Sequence, residues 1–321
     1  MTHTLHAHPP LGARMPRRED ERLVTGRGRF VDDLADADTL HLAFARGPVA
    51  SGRLLSVDTA IARAMDGVVA VLVGDDLAGI AAPPVNKVLD DLVVPPFAAL
   101  ARERVFALGQ PVAAVVATSQ TLAREAAEAI TIEVDPAHVA EPSPAGHARW
   151  HAGDPGGAFA RAATIVSVET RHALVAPAPL EPRAILIAPD GAGWLIHHST
   201  QTPYRTKNDL AKLFDLDPSR LRVIAPDVGG AFGGKASLTP EEIVTFAAAL
   251  ATGRPVAWTA TRSEEFLAAP RGRGLVGTGR LAVDAKGRMT AFEARLVGQV
   301  GWFFPFSAGI PVRNAGRTVP G

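Results

Sequence analysis

The run Gly229-Gly-Ala-Phe-Gly-Gly-Lys235 carries the densest chemical signal in the chain. Glycines placed this way let backbone amides approach a ligand with no Cβ between them. A nucleotide P-loop is one reading, because Gly229, Gly234 and Lys235 have the Gly-x4-Gly-Lys spacing. Two features oppose it. Ala236 stands where a hydroxyl is needed for magnesium. The predicted helix also starts near Pro240, whereas a P-loop helix begins at the lysine itself. An ordinary glycine-rich connection fits the run alone equally well.

Other residues invite chemistry and have plainer readings. His197 and His198 alternate along a predicted strand, so one faces inward and one outward, and they make a poor metal pair. Glu181, in Pro179-Leu-Glu-Pro-Arg183, is placed like a general base, but a proline-flanked turn with Glu181 capping or ion-paired fits better. Asp32 and Asp33 read as turn residues at a strand end. Arg271 and Arg273 suit anionic groups or a solvated loop equally. Trp302-Phe-Phe-Pro-Phe306 suits core packing before a substrate funnel. No Ser-His-Asp order and no His-Glu-x-x-His motif stands out.

The elements that must position these residues are legible in part. Gly67–Val73 and Pro111–Ala117 are continuous apolar runs, as in buried strands. Ser119 caps a helix whose predicted apolar face is Leu122, Ala126, Ala129 and Ile130. Ile130–Val134, Ile165–Arg171, Trp194–Ser199 and Leu221–Ala225 read as strands. Thr202 and Pro203 predict a capped helix to about Phe214. Thr239-Pro-Glu-Glu242 is a capping box, followed by the stripe Ile243, Phe246, Ala247 and Leu250 and stopped at Gly253. Gly279–Asp284 and Met289–Val297 flank Ala285-Lys-Gly287 as a β-hairpin. Prolines and glycines between Asp135 and Gly157 break all periodicity and predict a junction between two cores.

Composition narrows the function classes. The 321 residues carry 33 basic and 33 acidic side chains, so no basic footprint for nucleic acid or an acidic membrane exists. The hydrophobic fraction of 47% supports a substantial core. With no cysteine, the chain has no disulfide, no thiolate zinc site, no four-cysteine iron–sulfur cluster and no thiol nucleophile. No apolar run approaches a membrane span, and the start is unlike a secretory signal, so a cytoplasmic protein is expected. His3, His6 and His8 read as a frayed tail.

Taken in order, the motifs resemble one family. Asp227-Val-Gly-Gly-Ala-Phe-Gly-Gly-Lys235 resembles the cofactor loop of the molybdenum hydroxylases, the xanthine dehydrogenase and aldehyde oxidase family. Ser199-Thr-Gln-Thr-Pro203 is similar to the family segment whose glutamine faces an oxo ligand of molybdenum. Pro179–Arg183, Gly253-Arg-Pro-Val-Ala-Trp258 and Arg262-Ser-Glu-Glu-Phe266 follow in family order. Arg17-Arg-Glu-Asp20 and Leu23–Asp33 are similar to the entry into the family's hammerhead domain. The resemblance covers nearly all of residues 16–321.

It implies an α/β (α+β) fold: a lead-in over 1–20, an a/b hammerhead domain over 21–135, a linker over 136–160, and the first part of a molybdopterin-binding domain over 161–321. It implies a molybdenum–molybdopterin cofactor, the cytosine dinucleotide form among the variants allowed, held by its own dithiolene sulfurs with no protein ligand to the metal. Gln201 would bond an oxo group through its amide. Gly230, Ala231, Phe232 and Gly233 would line the metal and pterin, with the Phe232 ring as a wall. Iron–sulfur and FAD groups would sit on partner subunits, and the substrate would be a small aldehyde, a heterocycle or carbon monoxide. Two departures matter. Ala231 replaces a more usual glycine, and Ala236 replaces the glutamate of purine-oxidising relatives, which makes xanthine a poor substrate. The family's glutamate base lies much later than residue 321, so no catalytic base is assigned here. A second polypeptide completing the molybdenum subunit is expected. The alternatives are a non-catalytic remnant or interaction module that keeps the fold, and a nucleotide-binding protein.

Overall fold

The computed structural model describes residues 16–304 except 88, 90 and 139–143, together with residues 12, 306 and 309. The three N-terminal histidines and most of the stretch after Phe304 lie outside the described residues. The chain opens with α1 (Asp20–Val24) and a 3-10 turn (Val31–Leu34), then β1 (Leu40–Arg46), β2 (Gly52–Asp58), α2 (Ala60–Ala64) and β3 (Val68–Val73). β4 (Arg104–Val105), β5 (Pro111–Ala117), α3 (Gln120–Glu128) and β6 (Thr131–Pro136) follow. Next are α4 (Pro155–Ala160), β7 (Thr164–Val175), β8 (Ala184–Asp190), β9 (Gly193–His198), α5 (Pro203–Leu213) and β10 (Leu221–Ile224). The last are α6 (Pro240–Thr252), β11 (Val256–Thr259), α7 (Arg262–Ala268), β12 (Gly272–Val283) and β13 (Met289–Gly298).

Local signals produce most of these elements as expected. Ser119 Oγ accepts from the Leu122 amide at 3.2 Å and starts α3. The Thr239 amide donates to Glu242 Oε2 at 2.7 Å, and Gly253 ends α6 in the left-handed region at φ 64°. Two faces are broader than or different from the sequence expectation. α3 buries Ala126 of its predicted face, with Ile130 buried just beyond it and Leu122 packed on the same cluster, and the buried face widens to include Ala123 and Ala127. α6 is buried on every side from Pro240 to Ala249, while Leu250 of the predicted stripe is exposed. Helix α6 lies between layers, so a one-sided stripe underestimates its burial.

Three sheets form, and the largest joins strands from both parts of the chain. Its seven strands run β10-β9-β8-β11-β1-β5-β3. Strand β1, from the first segment, pairs in parallel with β11, from the last, through Leu40↔Val256 and His41↔Ala257. One core therefore holds Leu40, Leu42 and Phe44 together with Ile185, Ile187, Phe246 and Trp258. Phe44 meets Trp258 edge-on at 5.8 Å between centroids. The Pro/Gly-rich stretch breaks the chain's periodicity and leaves the packing continuous. Of the predicted strands, β5 is buried at all seven positions, whereas β3 is an edge strand that buries only Val71.

A buried ionic cluster fastens the same seam. Arg46 of β1 reaches Glu241 at 2.9 Å and Glu264 at 2.8 Å. Arg183 reaches Glu241 at 3.0 Å and Glu265 at 2.9 Å. Burial alone would raise the Glu241 carboxyl, but the Arg183 and Arg46 guanidiniums hold it down at about 2. Sheet β13-β12-β7 contains the predicted hairpin, longer than expected. Its register puts Val166, Val168, Leu174, Phe292 and Leu296 on one face, and all five are exposed. The opposite face carries Glu169, Arg171, Glu293 and Arg280, the last over the Phe159 ring of α4 at 4.6 Å.

Because the β1–β11 pairing crosses the junction, a cut there should not separate the halves. Limited proteolysis is expected to nick the exposed residues 149–154 first, and the fragments should co-elute on size exclusion. Fragments that elute separately without denaturant would contradict the shared core.

Candidate functional site

The glycine-rich run lies between β10 and α6, and three sets of contacts with distant segments hold it in place. The first is Glu181. Its Oε2 accepts from the Gly229 amide at 2.8 Å, from Ser199 Oγ at 2.6 Å and from Lys235 Nζ at 3.0 Å. Lys235 also donates to the Glu181 carbonyl at 2.8 Å and to Ser199 Oγ at 2.6 Å. Burial pushes the Lys235 ammonium below its ordinary value, and the Glu181 carboxylate opposes the shift. A Cβ built on Gly229 would stand 2.5 Å from the Glu181 Cβ, so only glycine admits this approach.

This geometry removes the P-loop reading. Lys235 is 1% exposed, and all three of its donors are directed at Glu181 and Ser199. It has no donor left for a phosphate. It also accounts for Glu181, whose Oε2 is ion-paired with Lys235 at a turn.

The second fastening is Gln201. Its Oε1 accepts from the Gly233 amide at 3.0 Å. That bond assigns the carboxamide: the oxygen faces the loop and the NH2 group is left to donate outward. Gln201 is held in turn by its own amide, which donates to the Lys235 carbonyl at 3.0 Å. Thr200 Oγ1 donates to the same carbonyl at 3.1 Å. The Thr202 hydroxyl, expected to cap α5, donates instead to the Ala236 carbonyl at 3.1 Å, so it ties the helix start to the loop's exit.

The third is Asp227 at the loop's entry. The Arg22 guanidinium forks onto both Asp227 carboxylate oxygens, and the Arg29 amide donates to Oδ2 at 2.7 Å. Hydrogen bonding from Arg22, then from Arg29, depresses the Asp227 carboxyl to about 2. A depressed carboxyl stabilises the fold fully above its ordinary value near pH 4, and that contribution disappears as pH falls through about 2.

Between these fastenings the loop presents its backbone. Gly230 and Gly233 take φ 99° and 91°, and Phe232 takes φ 49°. A left-handed phenylalanine costs roughly 1–2 kcal/mol, which the three fastenings must offset. The Phe232 ring is 76% exposed and turned back over Gly230. Among the described residues, no acceptor meets the amides of Gly230, Ala231 or Phe232. Adjacent unsatisfied amides beside an outward carboxamide form a donor cradle suited to an electron-rich group. Ala236 follows directly, its carbonyl also accepting from Arg205 at 3.3 Å.

The remaining sequence candidates have other partners. Nδ1 of His198 lies 3.1 Å from Thr206 Oγ1, and its Nε2 lies 3.2 Å from Glu242 Oε1, in the core. His197 is half-buried, and burial lowers its basicity. Asp32 accepts from Thr259 Oγ1 at 2.7 Å, and Asp33 accepts from the Phe30 amide at 2.9 Å. Arg271 donates to the Phe266 carbonyl at 2.8 Å. Phe303 packs at 5.7 Å from Phe97. Among the described residues no cluster of three metal-ligating side chains exists, and no helix is long and apolar enough to cross a membrane. Sequence reasoning did not find Ser199 as a Lys235 partner or Arg22 as a loop fastening, because contacts over 36 and 205 residues leave no local signal.

The run of amides without acceptors and the outward Gln201 NH2 group together make a donor site for an electron-rich ligand. Comparison with known proteins gives the family. Residues 25–137 match the aldehyde oxidase and xanthine dehydrogenase a/b hammerhead domain, and residues 135–320 match the molybdopterin cofactor-binding domain. The chain belongs to the aldehyde oxidase and xanthine dehydrogenase family. It is 33% identical to the nicotine 6-hydroxylase large subunit of Paenarthrobacter nicotinovorans, over 87% of this chain and 37% of that protein. It is 28% identical to the carbon monoxide dehydrogenase large chain of Hydrogenophaga pseudoflava, over 89% of this chain and 39% of that one. The structure of quinoline 2-oxidoreductase from Pseudomonas putida 86 superposes with a TM-score of 0.84 at 32% identity, covering 91% of this chain and 40% of that chain. The chain spans about two fifths of the length of these relatives.

Replacing Lys235 with methionine should strand the Glu181 carboxylate and destabilise the fold by about 3–5 kcal/mol, read from denaturant melts. ATP should bind neither wild type nor variant. Unchanged stability, or tight ATP binding lost with Lys235, would contradict the buried-pair account.

Proposed function

We propose that this chain forms one wall of a molybdenum–molybdopterin site in an enzyme that oxidatively hydroxylates an aldehyde, a heterocycle or carbon monoxide. The observation that carries the reading is the donor cradle: the Gly230, Ala231 and Phe232 amides without acceptors, beside a Gln201 NH2 group aimed outward. Oxygen on a high-valent metal and the anionic groups of a pterin cofactor are acceptors of the kind such donors fit. The cofactor brings its own sulfur ligands, so a chain without cysteine or a metal-ligating cluster suits it.

When bound, the cofactor supplies the two-electron oxidation; the chain's own residues bind and orient. Gln201 and the loop amides hold an electron-rich oxygen, Gly233 fixes the glutamine, and the Phe232 ring shields one side. Ala236 presents a methyl group toward the substrate, which favours a substrate without a purine's hydrogen-bonding edge. Lys235, Ser199 and Gly229 all bond Glu181 Oε2 in a structural role, which supports a general base from another segment or polypeptide. Relatives that are a large subunit and a large chain support partner subunits, and iron–sulfur and FAD groups on those partners, in a cytoplasmic complex, belong to the same proposal. The exposed apolar face of β7, β12 and β13 supports a second half of the molybdenum subunit. The preserved cradle supports the enzymatic reading over a remnant. The cytosine dinucleotide form of the cofactor belongs to the same proposal.

In the assembled complex, Gln201→Ala should lower kcat/KM about a hundredfold, the effect of losing one oxyanion-type donor, with pterin content retained. Phe232→Ala should accelerate pterin loss on dialysis. The isolated chain should be catalytically silent. Full turnover by the Gln201 variant, or by the chain alone, would refute the assignment.

A further inference from the structure

Helix α1 is five residues long and buries none of them. Its own packing does not explain its place on the molecule. What holds it is Asp227: a two-pronged ion pair from Arg22, and a reciprocal backbone contact in which the Arg29 amide donates to Asp227 Oδ2 at 2.7 Å and the Asp227 amide donates to the Arg29 carbonyl at 3.1 Å. The side chains differ in shielding, with Arg22 at 41% exposure and Asp227 at 14%. An exposed single-point salt bridge contributes little. A forked guanidinium–carboxylate pair with a third donor from the backbone is geometrically specific and much stronger.

The lead-in then continues as a strap. Val31 and Leu34 pack on Ala184, Leu186 and Ala257, on the face of the large sheet opposite α6. Asp32 is tied to Thr259, and Arg254 donates to the Asp38 carbonyl at 3.1 Å. The strap is therefore fixed to the rigid sheet at one end and to the entry of the glycine-rich loop at the other. Asp227 lies two residues before Gly229, where the loop leaves β10, and the strained residues Gly230 and Phe232 follow at once. Glu181 holds Gly229 from both sides, accepting its amide at 2.8 Å and donating to its carbonyl at 3.1 Å, and Gln201 holds Gly233; the Asp227 contacts with Arg22 and Arg29 hold the segment just upstream of Gly229.

We propose that Arg22 and Asp227 are positioning residues: the N-terminal strap clamps the entry of the glycine-rich loop and sets the direction of the Gly230–Phe232 amides. The clamp's service to a cofactor rests on the function proposed above. The clamp itself does not, and it is testable in the full chain without cofactor, so the two can fail separately.

Amide hydrogen exchange by mass spectrometry on wild type, Arg22→Ala and Arg22→Lys is the test. Lysine keeps the charge and loses the fork. In Arg22→Ala, exchange of the hydrogen-bonded Gly229, Gly233 and Gly234 amides should accelerate about tenfold or more, while β8, β9 and β11 keep wild-type rates; Arg22→Lys should fall between. In the assembled complex, Arg22→Ala should release pterin faster on dialysis. Acceleration confined to 20–29 would overturn the proposal, making the pair a tether for α1 only. Wild-type exchange throughout would overturn it too. So would a global loss of protection in both variants, which would make the pair a brace for the whole fold.

Discussion

An ammonium group leaving water loses several kcal/mol of solvation, and a buried lysine survives only where its environment returns that energy. Lys235 recovers it from the Glu181 carboxylate, the Glu181 carbonyl and the Ser199 hydroxyl, at 3.0, 2.8 and 2.6 Å. The consequences propagate along the backbone. Glu181 must stand at the loop, and there it also receives the Gly229 amide, which requires a residue without a Cβ at 229. The Lys235 carbonyl, fixed by its own side chain's commitments, receives Thr200 Oγ1 and the Gln201 amide. Gln201 then accepts from Gly233. One buried charge thus aligns the turn before β8, the segment after β9 and the glycine-rich loop.

The rest of the fold supplies a rigid frame for that arrangement. β8 and β9 are neighbours in the seven-stranded sheet, so the Glu181 and Ser199 ends are held side by side. Helix α6, buried on every side over its first ten residues, anchors the loop's exit. The cluster of Arg46, Arg183, Glu241, Glu264 and Glu265 locks β1, the turn after Glu181 and helices α6 and α7 into one unit. β1 and β5 therefore share the core beneath the site.

Local chemistry was legible in the sequence where it is local in the structure. The Thr239–Glu242 box, the Gly253 stop, the Ser119 cap and the hairpin around Lys286 all form from neighbours in the chain. The order of weak motifs revealed the family, since order and spacing survive when single residues vary. Three things were hidden. The β1–β11 pairing joins residues about 216 apart, and periodicity carries no information on partners. Thr202 looked like a cap, but a tertiary acceptor, the Ala236 carbonyl, captured its hydroxyl. Lys235 looked available for phosphate, because its spacing matches a P-loop and nothing nearby in sequence announces Glu181. The sequence around Glu181 implies an ion pair or a cap, and only the fold brings Lys235 to it.

The account's central claim is that the Gly230–Phe232 amides and the Gln201 carboxamide form a cradle for a molybdenum–pterin group. Its most direct test is molybdenum and pterin analysis of the chain purified from its native host with whatever polypeptides accompany it. The account predicts molybdenum and pterin in near-equal amounts, close to one per chain in the assembled complex. A complex that carries all its native partners and contains neither molybdenum nor pterin would contradict it.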